Sequence, residues 1–229
     1  MKLPPRAALL LVLLGCSNLT GDNGVVALEL RLPSPAIVER NDTLLLRARA
    51  LNLSGDSVAA AIVWRTPDTT LVLDSTGRVT STLTSGTGRV QAITGSLRSD
   101  LVTLTIRRRS DTLSLTGATA DTVPATDSAS AALLAAVRSL APDTVGILNT
   151  TILYEVVDSA TVQGKLHFAG GALAIRATTG VDGAPAVPVT LRKAPGTTPP
   201  GQAQVRVSAR RPSGVAVPGS GQVFTVVFQ

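Results

Sequence analysis

From residue 24 onward, apolar and polar residues alternate in short runs, separated by clusters of Gly, Pro, Asn, Asp and Ser. A period of two sends successive side chains to opposite faces of an extended chain, so these runs predict half-buried β-strands. Residues 25–32 form the first run and stop at Pro33-Ser34-Pro35. In residues 43–50, Leu44, Leu46, Ala48 and Ala50 fall on one face, and Leu45, Arg47 and Arg49 on the other. Ile62 and Trp64 share a face of a later run, as do Leu71 and Leu73. Asp74-Ser75-Thr76-Gly77 predicts a hairpin turn into Arg78-Val79-Thr80, because Asp and Gly tolerate positive φ. Val90 and Ala92, then Val102, Leu104 and Ile106, complete about seven strands.

The same alternation continues to the C-terminus. Ile152, Tyr154 and Val156 point one way from residues 151–157, and further strands are expected at 166–168, 173–177, 187–191, 203–209 and 223–228. Residues 130–140 are ambiguous, since their Ala and Leu content also suits a helix. Leu133, Ala135 and Val137 share a face at period two, which matches the neighbouring segments and predicts a strand. Thr and Val are abundant throughout, as pleated half-buried surfaces favour. The expected class is all-β.

The first residues differ from the rest. A short basic stretch with Lys2 and Arg6 precedes eight apolar residues at 7–14. Eight residues span about 12 Å as a helix, against the ~30 Å core of a bilayer, which suits a secretory signal rather than a membrane span. Leu13-Leu14-Gly15-Cys16 resembles the lipobox of bacterial lipoproteins, and Cys16 is the only cysteine in the chain. The resemblance implies cleavage after Gly15, which leaves 1–15 as signal peptide and 16–24 as tether. It also implies acylation of Cys16, a membrane partner, and delivery to the outer membrane because Ser17 rather than Asp follows. The eight residues from Cys16 to Asn23 reach at most about 30 Å.

Residues 25–106 resemble the group 2 bacterial immunoglobulin-like domain of intimin- and invasin-type surface proteins. The matching features are Asp42-Thr43-Leu44-Leu45-Leu46, Ile62-Val63-Trp64, Leu71-Val72-Leu73-Asp74-Ser75-Thr76-Gly77-Arg78-Val79, and Gly86-Thr87-Gly88 ahead of Val90-Gln91-Ala92. Trp64 serves as the core marker. Where the family usually has Gly before its second strand, this chain has Asn41-Asp42. Residues 178–191, with Asp182-Gly183, and Pro200-Gly201-Gln202-Ala203-Gln204-Val205-Arg206-Val207 are more loosely similar to group 1 repeats of the same kind. The implied organisation is two tandem immunoglobulin-like β-sandwiches after a cleaved lipoprotein signal peptide. They would span 25–107 and 111–229, joined by an Arg-rich linker at 108–110.

Composition then narrows the chemistry. One Cys and one His cannot build a Cys/His zinc site or a disulfide. Five aromatics leave little for base stacking, and nucleic acid is not an expected partner. Asp74 and Gly77 lack the second D-[ST]-G turn of an aspartic protease, so they read as a turn. His167 is flanked by Leu166 and Phe168 on an expected strand, with no G-x-S-x-G elbow anywhere, and reads as a rim residue. The acids are scattered and form no calcium loop. Arg107, Arg108 and Arg109 read first as a solvated corner between sandwiches, and second as a candidate anion contact, as do Arg210 and Arg211. The net charge of +6 falls to +4 once Lys2 and Arg6 leave with the signal.

These readings predict no catalytic residue, no metal and no cofactor. They predict a lipid-anchored envelope protein that displays its sandwiches for adhesion or for binding an envelope protein or glycan. A periplasm-facing assembly lipoprotein is the alternative, and a small hydrolase built on His167 a remote one. Which face of the membrane carries the sandwiches stays open.

Overall fold

The computed structural model describes residues 24–157 and 159–229. Leu13, Leu14, Gly15 and Cys16 therefore lie outside the described residues. The chain opens with β1 (Ala27–Arg31), β2 (Ile37–Glu39), β3 (Leu44–Leu45) and β4 (Arg47–Leu51). There follow β5 (Ser57–Val58), β6 (Val63–Arg65), β7 (Val72–Leu73) and β8 (Arg78–Thr80). The long β9 (Ser85–Thr94), β10 (Leu97–Arg98) and β11 (Val102–Arg107) complete the first half. One layer is built from β1-β4-β5 and β3-β8-β7, and β3 and β4 are a single run interrupted only at Leu46. The facing layer is β10-β9-β11-β2, with β6 also paired to β9.

The chain crosses between layers at its start. β1 pairs antiparallel with β4, whereas β2 pairs parallel with β11 on the opposite sheet. Pro33 and Pro35 fall between the two strands, where a residue without an N–H costs no ladder bond. A first strand split between two sheets, with its second part parallel to the last strand, gives an immunoglobulin-like sandwich.

The second half repeats the device. Its elements are β12 (Thr112–Leu115), β13 (Ala120–Val123), β14 (Ala135–Ser139), β15 (Val145–Gly146) and β16 (Thr151–Val156). A single helical turn α1 (Ser159–Val162) leads to β17 (Leu166–His167), β18 (Ala174–Thr178), β19 (Arg192–Lys193), β20 (Gln202–Ala209) and β21 (Gln222–Phe228). β12 pairs antiparallel with β14, and β13 crosses over to lie parallel to the final strand β21. The larger sheet runs β13-β21-β20-β16-β18 and the smaller β12-β14-β15. No helix among the described residues is long and apolar enough to cross a membrane.

Among the described residues, each half encloses its own core. The first contains eight buried residues, among them Val38, Leu44, Leu46, Leu71, Val79 and Leu104, with Trp64 partly buried against them. The second contains 22, including Tyr154, Phe168 and Phe224. At about 1.5–3 kcal/mol per buried aliphatic side chain, the second half holds the larger share of hydrophobic stabilisation.

Within residues 130–140 the strand covers only Ala135–Ser139. Ahead of it the Ser130 and Leu133 amides donate to the Leu191 and Val189 carbonyls (both 2.8 Å), across the sandwich edge. The strand expected at 187–191 does not form: Pro188 carries no N–H for a ladder, and pairing begins only beyond the segment, at β19.

Candidate functional site

The described residues hold a buried polar network where the two cores meet. β2 and β11 end together, and their parallel register sets Glu39 opposite Arg107. The Glu39 side chain is fully buried. Its Oε1 accepts from Arg107 Nη2 at 2.8 Å and Nε at 3.2 Å, and from Ser110 Oγ at 2.7 Å. The Ser110 amide donates to Oε2 at 3.0 Å. From the second half, Arg211 brings Nε to 3.8 Å from Oε2 and donates to the Ser110 carbonyl at 2.9 Å. One buried negative charge thus sits between two largely buried guanidinium groups, with four hydrogen bonds filling the carboxylate. That saturation is what makes burying the charge tolerable.

Further contacts widen the junction. Asn41, at φ 53°, turns the chain after β2, and Asp42 Oδ2 accepts from Ser213 Oγ at 2.6 Å. Ser213 lies in the turn closed by the Gly214 amide on the Arg211 carbonyl (2.8 Å). Arg107 Nη1 donates to the Leu148 and Asn149 carbonyls at 3.1 and 3.3 Å. The three consecutive arginines therefore fan out to three carboxylates: Arg107 to Glu39, Arg108 to Asp143 at 3.4 Å, and Arg109 to Asp111 at 2.6 Å. Burial pushes the Asp111 carboxyl up, but the Leu140 amide, Arg109 and Ser139 outweigh it and hold it below the usual carboxylate range.

Ser110 Oγ on a glutamate oxygen has the outline of a nucleophile and its base. Both groups are sealed from solvent and the carboxylate already serves four donors, so the pair holds position and does not activate. His167 is half-buried, and its Nδ1 lies 2.8 Å from the Phe168 carbonyl oxygen. Among the described residues no carboxylate or hydroxyl bonds to that ring, and no three His, Cys, Asp or Glu side chains gather as metal ligands.

Trp64 faces the first core from β6. Gly77, at φ 82°, lies against its indole, and a Cβ there would stand 2.7 Å from Trp64 Cε2. The turn is closed by Asp74, whose Oδ1 accepts from the Thr76 amide (2.8 Å), Thr76 Oγ1 (2.8 Å) and the Arg78 amide (2.9 Å). The Arg78 amide foremost, then the Thr76 hydroxyl, holds the Asp74 carboxyl below its usual range.

Sequence reasoning expected the arginines at a solvated corner, whereas Arg107 is largely buried and each of the three meets a carboxylate; it missed Glu39, Ser110 and Ser213. Glu39 did carry a faint signal, as one of only three glutamates and as the carboxylate ending a short apolar run.

No family model matches the chain, and no curated protein matches it. Among solved structures it is similar to the adhesin InvE of Yersinia pseudotuberculosis, at 16% identity and a TM-score of 0.41, over 91% of this chain and 61% of that one. The chain thus spans 61% of the length of that structure. It is also similar to the fibronectin(III)-like modules of Clostridium thermocellum CbhA (12% identity, TM-score 0.39, 88% and 94% covered). A third is the D00-D0 domain of intimin (16% identity, TM-score 0.30, 88% and 99% covered).

Proposed function

We propose that the chain is a non-catalytic, lipid-anchored cell-envelope protein that presents two immunoglobulin-like sandwiches, residues 25–107 and 111–229, as one stiff unit for adhesion or partner binding. The observation that carries this reading is the buried Glu39 junction. Its polar groups are spent on one another and on fixing one core against the other, with Glu39 and Ser110 closed to solvent. A stiff pair of sandwiches keeps its loops at a set distance from an anchor, which adhesion and assembly both need. The anchor is assigned to Cys16 by the lipobox-like Leu13-Leu14-Gly15-Cys16. Ser17 after it favours the outer membrane.

Adhesion and periplasmic assembly separate in one experiment. Proteinase digestion of intact cells, with permeabilised cells as control, cleaves the sandwiches in intact cells under the adhesion reading. Protection until permeabilisation contradicts it and assigns the protein to a periplasmic partner.

A further inference from the structure

The outward face of the β1, β3–β4 and β8 layer carries a concentration of arginine that the first half neutralises only in part. Alternation places Leu44, Leu46 and Val79 in the core, so Leu45, Arg47, Arg49 and Arg78 point out, joined by Glu29 and Arg31 from β1. Register makes the clustering concrete. Arg31 stands directly opposite Arg47, Glu29 opposite Arg49, and Leu45 opposite Arg78. Glu29 pairs with both Arg31 and Arg49. Among the described residues the Arg47 and Arg78 side chains have no ion-pair or hydrogen-bond partner. The other nearby carboxylate, Asp74, is hydrogen-bonded within its own turn and attracts Arg78 without an ion-pair contact. Like charges directly opposite one another destabilise a strand pair. The Arg31–Arg47 pair is therefore a local cost that an anion laid over the face would relieve.

We infer that this face docks on the anionic headgroups of the membrane that holds Cys16. The inference rests on the lipid-anchor reading above. Two further observations select a lipid surface as the occupant. The eight residues from Cys16 to Asn23 reach at most about 30 Å and lead through Gly24 into β1, the strand that carries Arg31. The face also mixes its guanidinium groups with exposed Leu45 and Val72, at 49% and 66% exposure, which suits a headgroup layer over apolar chains. Docked this way, the first sandwich lies with its sheet along the membrane, and the Glu39 junction sets the angle at which the second leaves it.

The test uses the chain from residue 16 onward with Cys16→Ser, so that no acyl group contributes. It is sedimented with vesicles of phosphatidylcholine alone and with vesicles containing phosphatidylglycerol. The expected result is binding to the phosphatidylglycerol vesicles only, weakening as salt rises. Each arginine at an anionic surface contributes about five-fold in affinity, so Arg47→Gln with Arg78→Gln weakens binding roughly 25-fold. A control pair of equal charge change in the second half, Arg138→Gln with Arg176→Gln, leaves it unchanged. An equal loss in the control pair, or no preference for phosphatidylglycerol, overturns the inference. So does binding to peptidoglycan sacculi without binding to vesicles, which would assign the face to a wall polyanion. Palmitate incorporation at Cys16 is scored separately in cells. Vesicle preference without incorporation supports the face and removes the anchor reading.

Discussion

Replacing Glu39 by Gln isolates the charge that joins the two cores. The shape of the side chain is kept. If the amide oxygen takes the place of Oε1, it retains the two Arg107 bonds and the Ser110 hydroxyl. The amide nitrogen then faces the Ser110 N–H, donor against donor, where Oε2 now accepts at 3.0 Å. Arg107 and Arg211, whose side chains are only 16% and 12% exposed, lose their counter-charge. Breaking a buried pair by removing one partner costs about 3–5 kcal/mol. With a urea m-value of about 2 kcal/mol/M, the midpoint should fall by roughly 2 M. The single Trp and single Tyr make the assay local, since Trp64 packs on the first core and Tyr154 is buried in the second. In the parent protein both emissions should change together. In Glu39→Gln the Trp64 transition should move to lower urea and separate from that of Tyr154, because the first core is much the smaller. A shift below about 0.5 M, with the two probes still coincident, would refute the argument that this carboxylate holds the junction.

Other consequences are as direct. Gly77→Ala forces a Cβ into the left-handed region, about 1–3 kcal/mol of strain, and into the Trp64 ring. Thermal unfolding should fall by several degrees with a red shift of Trp64 emission, and unchanged emission would contradict the contact. Burial pushes the Tyr154 hydroxyl upward, and the Ala135 amide relieves it without completing a bond of normal geometry. Tyr154→Phe should therefore be neutral or stabilising by about 1 kcal/mol in urea unfolding, since an orphaned buried hydroxyl is deleted. Asp68, Asp74 and Asp111 are all held below the ordinary aspartate value of 3.8 in the folded chain. The unfolded chain then takes up protons first as pH falls. Stability should be constant above about pH 5 and decline from about pH 4 downward through the folded values, and Asp74→Asn should flatten part of that slope.

Much of the fold was legible because strand alternation is a local signal. The inward set Leu44, Leu46, Leu104 and Ile106 and the inward set Ile152, Tyr154 and Val156 are buried as their period implies. The limits also have physical causes. Residues 187–191 carry strand-like composition, but a strand is a partnership, and Pro188 withholds the N–H that a ladder would use. The crossover strand β2 is three residues long, too short for a period to register, yet it delivers Glu39. The junction itself was illegible because its partners are distant: Glu39 meets Arg107 across 68 residues and Ser110 across 71. A sequence shows three adjacent arginines, but it does not show that each turns to a different carboxylate.

The stiffness of the junction can be measured by electron–electron distances across it. In a Cys16→Ser background, spin labels at Thr103→Cys on β11 and Gln204→Cys on β20, both exposed strand positions, report one half against the other. Two cores locked through Glu39 give a single narrow distance distribution that broadens when Glu39→Ala is added while far-ultraviolet circular dichroism keeps its strand signal. A broad distribution in the parent, or one that Glu39→Ala leaves unaltered, would contradict the rigid presenting unit and leave two independently tethered sandwiches in its place.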